Sequence, residues 1–168
     1  MPLSVKVRTS VKVADEVWIA VASLEQDHAT GQTDFSIAEI MDRVRRDNLY
    51  GSVRPGVYVH VIQHCVANRP PNPARHRMLL ETAPGRRRLF RKGDAYHPDR
   101  EGGRIAPSPE DLPPGYEELV AWYREWSETR RRNLGQEDPL LALRGSGKQL
   151  WADEHADEYV RRLREGWE

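Results

Sequence analysis

Between residues 54 and 69 the sequence carries Arg54, Tyr58, His60, Gln63, His64, Asn68 and Arg69, side chains whose donors and acceptors suit the edges of base pairs. An arginine fork can pair with guanine, and a glutamine or asparagine amide with adenine. Each good bidentate contact gives roughly 1 to 3 kcal/mol of base discrimination. Downstream, Arg75, Arg77, Arg86, Arg87 and Arg88 are cations of the kind that contact phosphates, so affinity should fall with salt as counterions are released. From Arg54 to Lys92 there are nine cations and one acid, Glu81. An ordinary solvated face, which is the bland reading of an arginine run, mixes both signs. The one-sided block therefore points to a polyanion.

His60 and His64 stand four apart on an expected helix, with Cys65 and His76 nearby, so metal ligation has to be weighed. The HExxH glutamate and a second ligand pair are missing, which favours structural or DNA-facing histidines. Cys65 falls among the apolar positions Val61, Ile62 and Val66, where a thiol is buried and inert. With no phosphate-binding glycine loop, serine elbow or paired carboxylates, the expectation is a non-enzymatic protein without a cofactor.

The elements that would position these groups follow from periodicity. Residues 5 to 13 alternate like a strand up to about Ser10, and Ala14, Val17, Trp18, Val21 and Leu24 then recur at helical spacing as far as His28. Ser36 with Glu39 forms a capping box for a second helix from Ile37 to about Asn48. Pro55 suits the first turn of a third helix, whose buried stripe would be Val57, Val61, Ile62, Cys65 and Val66 and which must stop before Pro70. Arg77 to Thr82 and Arg87 to Arg91 read as a hairpin around Ala83-Pro84-Gly85-Arg86. Three helices and a basic hairpin, in that order, predict a mainly α fold with a small β-hairpin. This is a winged helix-turn-helix-like body, whose third helix would lie in the major groove.

Glycine- and proline-rich residues 93 to 115 read as a surface-hugging linker before a fourth helix marked by Tyr116, Leu119, Val120, Tyr123 and Trp126. A final helix, about Asp153 to Glu165, has an apolar face with no later element to cover it. Domain limits are drawn at 1–95 for the DNA-binding body, 96–135 for linker and accessory helix, and 136–168 for a tail. That tail, from Gln136 on, carries eight acids against five cations. One cysteine excludes an internal disulfide framework, no apolar run is long enough for a membrane span, and MPLSVKVRTS lacks a secretory apolar core, so the cytoplasm is the expected compartment.

The stretch LRGSGKQLWADEHADEYVRRLREGWE, Leu143 to Glu168, closely resembles the C-terminal toxin-binding segment of VapB-like type II antitoxins, through Ser146-Gly147-Lys148, Leu150-Trp151 and the run from Asp157 to Trp167. The resemblance implies a toxin of PIN-type ribonuclease fold with an acidic, Mg²⁺-holding active site. Leu150, Trp151, Tyr159, Val160, Leu163 and Trp167 would anchor the tail in a groove, while Lys148, Arg161, Arg162 or Arg164 places a cation among the toxin's acids. The competing reading is that the last helix folds back on the body. Residues 14 to 95, including VWIAV and RPGVYVHVIQHCVANRPPNP, are similar to an uncharacterised prokaryotic winged-helix family found alone and near restriction-type enzymes.

Three readings follow. The first is an antitoxin that inhibits its ribonuclease and binds operator DNA, as a homodimer or in a toxin-bridged assembly. The second is a DNA-binding regulator or accessory subunit of a defence or restriction-type system. The third, less favoured, is a metal-dependent nuclease using His60, His64 and an acid.

Overall fold

The computed structural model describes residues 11–28 and 32–137, together with Arg161 and Arg164; past Thr129 the last long helix is described by its backbone alone. The alternation at residues 5–10 and most of the expected final helix lie outside the described residues. The chain divides into two compact units, Met1–Ser127 and Glu128–Glu168.

Among the described residues the order is α1 (Val13–Asp27), β1 (Phe35–Ser36), α2 (Ile37–Asp47), α3 (Pro55–Val59), a π-helical turn (His60–His64), β2 (Leu79–Ala83), β3 (Arg86–Leu89), two short 3₁₀ turns and α4 (Glu118–Glu137). The strands form one antiparallel sheet in the order β1-β3-β2. The protein is thus mainly α with a small sheet, and its helices and wing follow one another as periodicity indicated. Strand β1, which the sequence did not betray, is two residues long and is defined by pairing Phe35 with Arg87 and Ser36 with Arg86.

Helix α1 is the axis of the core. Val17, Trp18, Ile19, Val21 and Ala22 are all buried, and so are the charged Asp15 and Glu16 in its first turn. A helix buried on every side must sit inside its domain rather than on it. The buried acids survive because each finds an arginine: Asp15 Oδ1 accepts from Arg104 at 2.7 Å, and Glu16 Oε2 accepts from both Nε and Nη2 of Arg54. Burial still pushes the Asp15 carboxyl up from its ordinary range, against the pull of Arg104.

Helix α2 begins where the capping box requires, with Ser36 Oγ accepting from the Glu39 amide at 3.2 Å and Glu39 returning an acceptor to the Ser36 amide at 2.7 Å. It ends at Asn48, whose left-handed φ of 46° closes the last turn. Pro55 opens α3, which remains α-helical for five residues only. The chain then widens into a π turn in which the Cys65 amide bonds His60 O at 3.0 Å, and Met78 and Leu79 both return amides to Cys65 O. Val57, Val61, Cys65 and Val66 are buried as the spacing predicts, whereas Ile62 is only partly covered.

The segment from residue 93 to 115 is part of the body rather than a strap across its surface. Arg100 is fully buried and donates to six backbone carbonyls: Arg69 O and His76 O at 2.6 Å, Gln63 O at 2.9 Å, His64 O at 3.0 Å, Pro70 O at 3.2 Å and Ala74 O at 3.3 Å. They belong to the end of a helix and to a proline-rich loop, where the helical ladder leaves acceptors over; Gln63 O also accepts from the Val66 amide and Pro70 O from Gln63 Nε2. Gly103 follows at a crossing so close that a Cβ would lie 1.8 Å from Arg75 O, so no other residue fits there. Leu112, Leu119, Val120 and Tyr123 join the same core, with Tyr123 edge-on to Trp18 at 5.5 Å, so the core continues past residue 95. No helix among the described residues is long and apolar enough to cross a membrane.

Replacing Arg100 by Met keeps the stem and removes the donors. Leaving several buried carbonyls unpaired should cost more than about 3 kcal/mol. Arg100→Lys should recover little, because one ammonium cannot span the fork. Thermal denaturation checks both; a variant melting within a degree of the parent would show that the carbonyls find other partners.

Candidate nucleic-acid interface

The candidate interface expected from the order of three helices and a hairpin comprises α2, the turn after it, α3 and the β2–β3 hairpin. Among the described residues, five of the eight arginines of the basic block are held by acids, three of them by acids twelve or more residues away. Arg54 is committed to Glu16 and lies over the Tyr50 ring, with its guanidinium carbon 4.1 Å from the centroid. Arg69 forms a two-pronged pair with Glu81 at 2.7 and 2.8 Å. Arg86 reaches Asp34 at 2.8 Å, and Asp34 also accepts from Thr82, joining the loop before β1 to the wing. Arg88 grips Asp94 through both terminal nitrogens at 2.7 and 2.8 Å. These contacts hold the carboxyls of Glu81 and Asp34 below their ordinary range, chiefly through the hydrogen bonds from Arg69 and Arg86 respectively.

Arg87 corrects the sequence reading most clearly. Taken there for a phosphate contact, it is 1% exposed, because the inner face of β3 points it between Val61 O, Arg86 O and its cross-strand neighbour Glu81. Arg77 is also occupied: its Nε donates to Gly103 O at 3.1 Å and its guanidinium lies 4.3 Å from the Tyr96 ring centroid. The polar side chains expected to read bases are likewise engaged. Asn68 makes a paired contact with the backbone of Glu81, its Nδ2 donating to the carbonyl at 3.0 Å and its Oδ1 accepting from the amide at 2.9 Å. Gln63 donates to Pro70 O at 2.6 Å, and His60 Nδ1 to Gly56 O at 2.8 Å.

The histidines do come together. His60 and His64 rings lie 4.9 Å apart, and His60 and His76 rings 6.5 Å apart. Burial, aided by the neighbouring Arg104 and Arg100 and by the other histidines, pushes the His76 imidazole down to about 4. His64 is lowered too, by burial first and then by His60 and Arg100. Such rings stay neutral at pH 7 and offer no charge to a phosphate. Among the described residues no group of three or more His, Cys, Asp or Glu is arranged to hold a metal ion. Burial drives the Cys65 thiol up to about 12, far from a reactive thiolate.

What the candidate interface presents to solvent is different from the residues first singled out. Tyr58 is exposed as expected, and so are Arg75 and Lys92. In the same stretch of chain stand Tyr50, Val53 and Val59, also exposed, which sequence reasoning passed over. So were Arg45 and Arg46, exposed in the last turn of α2. The signal for the two arginines was available: a basic pair at the helix end that leads into the turn. Of the tail residues, Arg161 and Arg164 are helical and exposed, three apart and so on one face. Lys148, Leu150, Trp151, Tyr159, Val160, Arg162, Leu163 and Trp167 lie outside the described residues. No family model matches the chain, and neither a curated protein nor a solved structure is detectably similar to it.

The two classes of arginine should separate by experiment. Arg87→Ala strips a buried ion pair and should cost about 3 kcal/mol or more in thermal or urea denaturation. Arg75→Ala with Lys92→Ala should leave the melting temperature nearly unchanged while flattening the salt dependence of duplex binding by one to two ions. An unchanged slope would remove both cations from the interface.

Proposed function

We propose that the protein is an antitoxin whose winged-helix body binds double-stranded DNA and whose C-terminal segment binds and inhibits a ribonuclease toxin, PIN-type by resemblance. The reading is carried by the run Leu143–Glu168, with its antitoxin-like order of small residues, aromatic anchors and arginines, joined to a body with the helix and strand order of a DNA-binding module. The exposed Arg161 and Arg164 support it, because a pair of cations on one helical face suits an acidic, metal-holding cleft. Their role is to place a guanidinium among the toxin's carboxylates, where it competes with the metal for the same oxygens. The apolar anchors Leu150, Trp151, Leu163 and Trp167 supply most of the affinity by burying against the toxin. Two DNA-binding bodies held on one toxin assembly would raise operator affinity through effective concentration, coupling repression to the supply of toxin.

The test uses the full chain with Trp151→Ala, Leu163→Ala and Trp167→Ala combined, co-expressed with the product of the adjacent gene, which the proposal requires to be a ribonuclease. The expected result is loss of growth rescue and of copurification, with an unchanged melting temperature and unchanged DNA binding. Rescue by the substituted chain, or failure of the unsubstituted chain to bind the ribonuclease, would overturn the antitoxin reading.

A further inference from the structure

Among the described residues, the large hydrophobic side chains that stand exposed are Tyr50 (45%), Val53 (38%), Tyr58 (50%) and Val59 (39%). They occupy one short stretch, from the turn after α2 to the end of α3. Three polar neighbours of this surface already have partners. Arg54 is pinned to Glu16, His60 to Gly56 O and Gln63 to Pro70 O. The exposed side chains on α3 are Pro55, Tyr58 and Val59, with Val53 exposed in the turn before it.

We propose that this face recognises the 5-methyl group of pyrimidines in the major groove, a thymine or a 5-methylcytosine. The inference rests on the DNA-binding reading of the body and deepens it by naming what α3 reads. In the major groove each base pair offers donors and acceptors, and the one apolar feature is the methyl on pyrimidine C5. Val59 and Val53 can exclude water from such a methyl without leaving a buried donor or acceptor unpaired, which a polar reader would do at a mismatched base. Tyr58 adds a ring edge for the same methyl and a hydroxyl for a neighbouring phosphate.

The rim decides between DNA and a second copy of the chain as the occupant. Arg46 precedes Tyr50 by four residues and is exposed, as is Arg45, which pairs with Asp42. A two-fold dimer through this patch would bring these basic rims towards each other, whereas a duplex meets them with phosphates.

The test is a fluorescence-anisotropy titration of the full chain against a short duplex selected from a random-sequence pool. The duplex is then resynthesised with uracil for thymine at each position in turn, and with cytosine or 5-methylcytosine paired to guanine at the same positions. Loss of one contacted methyl should weaken binding about fourfold. Val59→Ala should bind the thymine and uracil forms alike, with an unchanged melting temperature. If 5-methylcytosine binds more tightly than cytosine there, the methyl is read from either source. If only thymine gains, its O4 is read as well; both results support the proposal. Equal binding of thymine and uracil forms by the parent chain overturns it while leaving DNA binding intact. A concentration-dependent dimer that Tyr58→Glu dissolves, with no difference between thymine and uracil, reassigns the patch to self-association and overturns it. If no duplex binds at all, the DNA reading of the body falls with it.

Discussion

Helix α3 and its π turn are held in place by two arginines, one at each end. At the start, Arg54 bridges to the buried Glu16 on α1 and lies over Tyr50 from the preceding turn. At the finish, Arg100 gathers Gln63 O and His64 O together with four carbonyls of the following loop. A five-residue α-helix has too few internal hydrogen bonds to define its own position. The clamps do that, and each is costly to remove because it would strand a buried charge or a set of buried carbonyls. The exposed face of α3 is therefore a by-product of what is fixed beneath it.

The same constraint explains why the protein has so many arginines and so little net charge. Planar guanidinium groups can satisfy several acceptors at once, so they serve here as internal connectors: Arg87 across the wing, Arg88 to the turn after it, Arg86 to the loop before β1, Arg104 to the first turn of α1. Each pairing crosses a gap in sequence, and together they bind the wing, the central helix and the segment after the wing into one unit. For the proposed DNA binding this leaves a smaller set of exposed cations, Arg45, Arg46, Arg75 and Lys92, together with the half-exposed Arg69 and Arg86.

Local signals in the sequence were read with good fidelity. The Ser36–Glu39 box, Pro55 and the prolines after Arg69 each act on the backbone within a turn, so α2, the start of α3 and the loop beyond it could be placed from residues alone. Long-range effects were not legible. Asp15 and Glu16 look like the wet side of an amphipathic helix until Arg104 and Arg54 arrive from far along the chain. Arg100 looks like one more charge in an aperiodic linker until six carbonyls surround it. Counting charge from Arg54 to Lys92 gave a strongly basic block because its acids, Glu16, Asp34 and Asp94, lie outside that window. Base-reading types were expected along a third helix reaching towards Pro70, but the choice between reading a base and satisfying a neighbouring carbonyl is made by packing, and for Asn68 and Gln63 the carbonyl won.

The proposed contact with duplex DNA runs through the face from Tyr50 to Val59, held by its two arginines. It is tested most directly by placing a photo-crosslinking phenylalanine analogue at position 58 of the full chain and irradiating it with duplex DNA. The expected result is a crosslink to bases within the bound site, suppressed by competing duplex and by salt. A crosslink to a second copy of the chain, with the DNA untouched, would contradict it.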